Sequence, residues 1–559
     1  MKLTKNARIV MRRFLKKDES GKIIESPEDL LRRVAKNIAK EDIKYNGDVK
    51  NTEKEFFKIM NNQEFLPNLP AIANAGRELQ QLAACFVIPV GDSMEEIFQA
   101  VKDMALIQKS GGGTGFSFSR LRPEGSPVKE TGGVASGPVS FMKVFDAATG
   151  AIKEGGIRRG ANMGILRVDH PEIEKFISSK SKGELTNFNI SIALTDRFIN
   201  AVKTDSVFDL KFNNKVYKKM KARRLFSLIT KNAWINGDPG IIFIDQINKH
   251  NPTPKIGEIE ATNPCGEQPL LPYESCILGS INLTKFFENR EINYNKLESV
   301  IKTSVHFLDN SIDATSYPTS NTEKIVKANR KIGLGVMGFA DLLILFRVRY
   351  DSNKSLKLAE KIMKFIQEKA KEASKEIAEK RGSFPNIENS IYKGKKMRNA
   401  TATTIAPTGT IAIFADCSEG IEPLFNLIFK RNSTYGILYE INPLFRKIAK
   451  KYKLTQSTIN RISSEGTLKN IDLPPEIKNL FRTAHDISPE WHVKIQSAFQ
   501  GYTDNAVSKT VNLPENASIK DIQKVYLLAH KLNCKGLTVY RYNSRKKQIL
   551  ELCKKCQKI

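Results

Sequence analysis

No apolar run in the chain approaches the roughly 18 residues of a membrane span; the run at 342–346 is short and follows Asp341. The N-terminus carries basic residues but no uninterrupted apolar segment, so no signal peptide is expected. Cysteine is scarce. Seven in 559 residues is too few for a secreted disulfide scaffold and suits reduced thiols in the cytoplasm. Internal repeats, low-complexity linkers and the patterns of helix-turn-helix, zinc-finger or RNP modules are all missing. Acidic residues are outnumbered as well: 60 Asp and Glu stand against 89 Lys and Arg, a formal charge of +29. Such an excess is the footprint of a nucleic-acid partner. Here it is diffuse, at 215–224, 354–380, 393–398 and 545–558, which favours a solvated basic surface. With 40% hydrophobic and 27% charged residues, the composition is that of a soluble globular protein with a large core.

The texture changes along the chain. Pro27-Glu28-Asp29 opens a periodic segment, Leu30, Leu31, Val34 and Ile38, with charges between, which predicts a helical N-terminal domain over 1–65. From residue 66, glycine clusters, short apolar runs and turn signals predict an α/β core. Strands are expected at 164–168, 189–194 and 241–244. Helical periodicity returns over 293–380, and 402–414 reads as a strand-like run broken at Pro407-Thr408-Gly409.

The most informative segment is Asn263-Pro264-Cys265-Gly266-Glu267. Pro264 pushes Asn263 out of the helical region, and Gly266 permits a tight turn. If extended, the segment presents residues i, i+2 and i+4 on one side: an amide, a thiol and a carboxyl. A carboxyl can act as general base, an amide can orient a hydroxyl, and a thiol can do nucleophilic or radical work. Each residue alone is more simply a buried side chain in a Pro/Gly turn; the combination is not.

This segment resembles the finger loop of ribonucleotide reductase catalytic chains. In the family's order the chain also carries Ala83-Ala84-Cys85-Phe86-Val87, Gly91-Asp92-Ser93, the triple glycine at Gly111 to Gly113, Gly155-Gly156-Ile157-Arg158-Arg159-Gly160 and Ala406-Pro407-Thr408-Gly409-Thr410. Asp486-Ile487-Ser488-Pro489-Glu490, Tyr502-Thr503-Asp504-Asn505-Ala506 and Lys535-Gly536-Leu537-Thr538-Val539-Tyr540-Arg541 are similar to the adenosylcobalamin-dependent branch. The resemblance implies a ten-stranded α/β barrel over 66–540 with a central finger loop, preceded by the helical domain and followed by a flexible redox tail over 541–559.

It also implies roles. Cys265 is the thiyl-radical cysteine that takes the 3′ hydrogen of the substrate ribose, Glu267 the base at the 3′ hydroxyl, and Asn263 the group that positions the sugar. Cys85 and Cys276 supply the reducing equivalents and end as a disulfide, which requires Cα atoms about 4.4–6.8 Å apart. Substrate is bound by Ala84, Gly113, Pro264 and Gly266 with the finger residues, and its phosphates by Pro407, Thr408, Gly409, Thr410 and Ile411, where main-chain N–H groups can make an anion nest. Where the branch usually carries Ser-Pro-Thr, this chain has Leu69-Pro70-Ala71. Two hydroxyls are therefore missing, and only main-chain contacts are expected there.

A deoxynucleotide effector is implied at Asp92, Lys109 and Arg122, with Arg158 on the loop that relays effector identity. The helical segment before residue 66 is short for an ATP-cone domain, so no overall activity switch is expected. Cys553 and Cys556 form a C-x-x-C on a basic tail, suited to thiol exchange with a thioredoxin-type reductant; a zinc site would need a second pair, and no metal site is expected. Cys417 and Cys534 are expected to be structural. Adenosylcobalamin is the expected cofactor. The alternative is a large subunit dependent on a metal radical subunit, weakened because Tyr540 lacks an adjacent tyrosine, with Tyr542 two residues on. No glycyl-radical segment is recognisable. Two further alternatives are a basic nucleic-acid-binding protein, supported by charge alone, and a non-radical thiol enzyme, which leaves Cys85, Cys276 and the tail pair unexplained. The expected assembly is a homodimer in the cytoplasm, with neither membrane nor nucleic acid as partner.

Overall fold

A computed structural model of the chain describes residues 3–128, 132–152, 160–181, 183–433, 436–545, 548 and 550–553. Ser26 opens helix α1 (Pro27–Ala39) with a capping box: its hydroxyl accepts from the Asp29 N–H while the Asp29 carboxylate accepts from the Ser26 N–H. Leu30, Leu31, Val34 and Ile38 are all buried, as the periodicity predicts. Helix α2 (Val49–Asn61) packs beside α1 to complete the helical N-terminal layer.

From Phe65 the chain builds one ten-stranded sheet. Its strands are β1 (Phe65–Pro67), β2 (Cys85–Val87), β3 (Gly113–Ser117), β4 (Asn162–Arg167), β5 (Phe188–Leu194), β6 (Gly240–Phe243), β7 (Ser275–Asn282), β8 (Ile332–Met337), β9 (Thr510–Leu513) and β10 (Gly536–Arg541). Strands β2 to β6 are mutually parallel neighbours. So are β7 with β8 and β9 with β10. The two parallel halves meet antiparallel at β2–β7 and β6–β10. Beyond β8, the bridges Leu334–Thr403 and Ile405–Val507 carry the pairing on toward β9. Parallel strands covered on both faces need near-continuous apolar sequence: all eight residues of β7 are buried, and β5 exposes only Asn189.

The 402–414 run divides. Thr403 and Ile405 pair as extended chain, but Ile411–Ala415 is a short helix rather than strand. Thr408 turns the chain with a positive φ, and its carbonyl accepts from the Ala412 N–H at 2.9 Å to start that helix. The basic stretches fall on separate elements, including the exposed hairpin strand Lys215–Lys221 and the 29-residue helix Asn353–Arg381. Several of their lysines pair with acids, as in Lys364–Glu368 and Lys393–Glu388. No helix among the described residues is long and apolar enough to cross a membrane.

Candidate active site

Two short strands, Ala261–Thr262 and Pro269–Leu270, pair antiparallel and hold the 263–268 loop between them. The loop is a turn, not the extended segment expected from sequence. Gly266, at φ +81°, lets its N–H reach the Asn263 carbonyl at 3.0 Å. The chain therefore reverses: Asn263 and Glu267 are buried at the base, and Cys265 is exposed near the tip. The Asn263 side chain is fixed at both ends. Its Oδ1 accepts from the Gln268 N–H at 3.0 Å, and its Nδ2 donates to Cys85 Sγ at 3.0 Å. The Glu267 carbonyl accepts from the Ala506 N–H at 2.9 Å and Thr404 Oγ1 at 3.0 Å, tying the loop to the far half of the barrel.

Glycines let the loop sit inside the sheet. A Cβ on Gly115 would collide with the Thr262 carbonyl, and one on Gly113 would lie 3.0 Å from Pro264 Cγ. Gly115→Ala should push the hairpin out of register and lower turnover about 10²-fold, the usual penalty for displacing a reacting group by about 1 Å. Steady-state rates beside a thermal unfolding curve would separate this from simple loss of fold.

The two cysteines read as the reductive pair are opposed in backbone register: Cys276 on β7 stands directly opposite Cys85 on β2. Residues so opposed in an antiparallel pair have Cα atoms about 4.5–5.5 Å apart, inside the range a disulfide requires. Burial pushes the Cys276 thiol well above its ordinary pKa, and the Lys331 ammonium partly offsets this. Ala84, next to Cys85, accepts the Gly113 N–H at 2.9 Å. Cys265, Pro264 and Gly266 line a cavity of about 1050 Å³ that also takes in Pro407 and the hairpin strands Ile428–Ser433 and Gly436–Ile441. Beside Pro407, Thr408 is buried and its Oγ1 accepts from the Gly420 N–H at 2.8 Å, which leaves the hydroxyl proton to donate. Gly409 and Thr410 are half-buried, and Ile411 is buried. At Ala71 the main-chain N–H is already engaged, donating to Asn68 Oδ1 at 3.0 Å.

The sequence matches the model described as "Ribonucleotide reductase, barrel domain" over 83–397 and 392–540, and that described as "Ribonucleotide reductase, all-alpha domain" over 1–80. The chain belongs to the ribonucleotide reductase family. It is 45% identical to the "Vitamin B12-dependent ribonucleoside-diphosphate reductase" of Thermoplasma acidophilum, over 98% of this chain and 80% of that one. Identity to the protein of the same name from Mycobacterium tuberculosis is 43%, over 98% and 81%. The Actinobacillus ureae class Id ribonucleotide reductase alpha subunit shares the fold, with a TM-score of 0.81 over 97% of both chains at 22% identity.

Other residues singled out in this reductase are dispersed. Arg122 and Asp92 meet: Arg122 Nε lies 2.7 Å from Asp92 Oδ2, and the Arg122 N–H donates to Oδ1 at 2.9 Å. Lys109 ends the 16-residue helix Met94–Lys109, which starts two residues after Asp92, so it stands about 24 Å away at 1.5 Å per residue. Arg158 and Cys556 lie outside the described residues. The tail was expected to be flexible, yet Leu550–Leu552 pairs as a strand with Phe429 to Arg431. Cys553 is buried there, and Ser463 Oγ donates to its carbonyl at 2.7 Å. Cys417 lines the large cavity, and burial with Asp341 and Asp416 pushes its thiol well up. Cys534 is enclosed in the core, its thiol pushed up to about 12 by burial.

Sequence reasoning missed Asn189, whose Nδ2 donates to the Pro264 carbonyl at 3.0 Å. A polar residue within the apolar run of β5 was the available signal. It also missed Lys509, fully buried against Glu422, His492 and the Thr510 carbonyl at the cavity wall.

Proposed function

We propose that this chain reduces ribonucleoside diphosphates to 2′-deoxyribonucleoside diphosphates for DNA synthesis, with adenosylcobalamin as radical source. The observation that carries the reading is the convergence of an exposed Cys265, a buried Asn263–Glu267 base and the opposed thiols Cys85 and Cys276 on one loop-filled barrel. Its two relatives named above carry both the cofactor and the diphosphate in their names.

Cys265, as thiyl radical, takes the 3′ hydrogen. Glu267 takes the 3′-hydroxyl proton, and Asn263, locked by Gln268 and Cys85, holds the sugar in place. The 2′ hydroxyl leaves as water. Cys85 and Cys276 lose two electrons and two protons in all and become a disulfide, which matches the two-electron reduction of the ribose. Diphosphate oxygens are received at Pro407 to Ile411. The cavity over Cys265 fits a large cofactor, because Phe429, Ile437 and Tyr439 of the hairpin share its lining with Cys265 and offer apolar surface to a flat ring system. When bound, adenosylcobalamin supplies the radical that Cys265 receives. Tyr540 and Tyr542 are not adjacent, unlike the tyrosine pair of the subunit-dependent alternative.

A dithiol of the thioredoxin type, relayed through Cys553 and Cys556, restores the thiols, and such chemistry belongs in a reducing cytoplasm. A deoxynucleotide effector displaces the Arg122–Asp92 pairing. A second copy of the chain completes that site: Met94 and Phe98 on the Met94–Lys109 helix are 55% and 48% exposed, and two such helices packed antiparallel bring the Lys109 end of one to the Asp92 end of the other. The deciding assay is reduction of each nucleoside di- and triphosphate by this chain alone with a dithiol. Deoxynucleoside diphosphate is expected only when adenosylcobalamin is added. A requirement for a second, metal-bearing subunit would refute the reading.

A further inference from the structure

Behind Cys276 stands a buried charge pair that the reduction chemistry above leaves unused. Lys331 Nζ lies 2.6 Å from Glu274 Oε2, and both side chains are only 1% exposed. Glu274 is held on every side: Oε2 also accepts from the Leu271 N–H at 2.7 Å, and Oε1 accepts from Asn329 Nδ2 at 2.5 Å. Lys331 immediately precedes β8, where Ile332 pairs with Ile277, so the lysine lies alongside Cys276. The Cys276 thiol donates to the carbonyls of Lys331 at 3.5 Å and Ile277 at 3.7 Å. Its S–H is therefore directed toward the start of β8.

The two thiols are unequal. Cys276 is fully enclosed, at 0% exposure, whereas Cys85 retains 4% and touches the finger loop through Asn263. Cys85, the less enclosed of the two, is the sulfur more open to an incoming reductant.

We propose that Lys331, held beside Cys276 by Glu274, is a positioning residue for disulfide re-reduction, making Cys276 the leaving thiolate and Cys85 the sulfur attacked by an incoming dithiol. The inference rests on the reading of Cys85 and Cys276 as the reductive pair. A thiolate of the dithiol attacks Cys85 Sγ. An S–S bond forms to Cys85, the Cys85–Cys276 bond breaks, and its electron pair passes to Cys276. The second thiol of the reductant then attacks the mixed disulfide and expels Cys85. The dithiol loses two electrons and two protons, and the protein disulfide gains them as two thiols.

The difficult part is releasing Cys276 as a thiolate from a site without water. A thiol leaves faster as its pKa falls. Burial opposes this most strongly; Lys331 is the leading charge that favours the thiolate, while Glu274 and Glu267 oppose it. Lys535 adds a second buried cation near Lys331. The Asp504 and Asn505 carbonyls hold it at 2.6 and 2.7 Å, and burial pushes it down to about 8.

The test uses the full chain, oxidised by one turnover without reductant. With 2-mercaptoethanol as probe, peptide mass mapping should place the mixed disulfide on Cys85. With dithiothreitol, Lys331→Met should slow disulfide reduction about tenfold. Glu274→Gln, which keeps the ammonium and removes the opposing carboxylate, should speed it. A purely structural pair would make both variants slower alike. A mixed disulfide on Cys276, parallel slowing of the two variants, or unchanged rates in both would overturn the proposal. If Lys331→Met does not fold, the mapping on the unaltered chain and the Glu274→Gln rate still decide it. Absence of any Cys85–Cys276 disulfide after turnover would instead remove the reductive-pair reading, and this inference with it; the other outcomes leave that reading intact.

Discussion

Cys265→Ala should abolish nucleotide reduction, a loss of at least about 10⁴-fold of the kind seen when one member of an interdependent catalytic set is removed. The loop that carries Cys265 is held by its backbone. Asn263 N–H to Gln268 O, Gly266 N–H to Asn263 O and Ala506 N–H to Glu267 O all persist without the sulfur. Asn263 also keeps its contact with Cys85. The variant should therefore unfold at the same temperature as the parent chain while forming no deoxynucleotide in a single turnover, and Cys85 and Cys276 should stay reduced. Deoxynucleotide formed at the parental rate would mean that another residue carries the radical.

Asp309→Ala should cost about 3–5 kcal/mol of stability, as expected for removing one partner from a buried ion network. Asp309 is completely buried on the helix Tyr294–Ala314, with Arg330 Nη2 at 2.9 Å, Arg398 Nε at 3.1 Å and Arg381 Nη1 at 3.6 Å. Asp42 from the N-terminal domain also binds Arg381, at 2.6 Å, so the cluster joins that domain to the barrel. Three guanidiniums balance Asp42, Asp309 and Asp313; without Asp309 one positive charge is stranded. Urea unfolding midpoints would measure the loss.

The network also sets a pH dependence. Burial alone would raise the Asp309 carboxyl, but Arg330 and Arg398 hold it below its usual range. In the same way His306 and Thr52 overcome burial at Asp42 and hold it well below that range. A carboxylate depressed on folding contributes stability above its unfolded pKa, near 4, and loses it as pH falls through the folded value. The parent chain should therefore lose stability on acidification below about pH 4, and Asp309→Ala should show a shallower loss, having less to forfeit. An equally steep acid profile in both would contradict this.

Local features were legible in the sequence. The 3.6-residue apolar spacing after Ser26 and its acidic N3 residue mark α1, because helix periodicity and capping need only neighbouring residues. Pro264 and Gly266 mark an irregular segment around a thiol, and the ordered motifs mark the family. What these residues could not state is how the segment bends. Extended chain and tight turn are both open to Asn-Pro-Cys-Gly-Glu, and it is pairing of the flanking strands, with glycines in β3 making room, that selects the turn.

Everything that depends on register belonged to the tertiary structure. Cys85 and Cys276 lie 191 residues apart in sequence, and only the antiparallel junction of the two half-barrels sets them opposite each other. The same junction, one strand further, puts Lys331 behind Cys276. Asp92 and Lys109, by contrast, are kept apart by local geometry alone, because a 16-residue helix lies between them. The scarcity of cysteine was determined by sequence alone, and it excluded a disulfide scaffold. Which few thiols confront each other was decided by long-range strand pairing, because local backbone preference carries no information about which distant strand will be the neighbour.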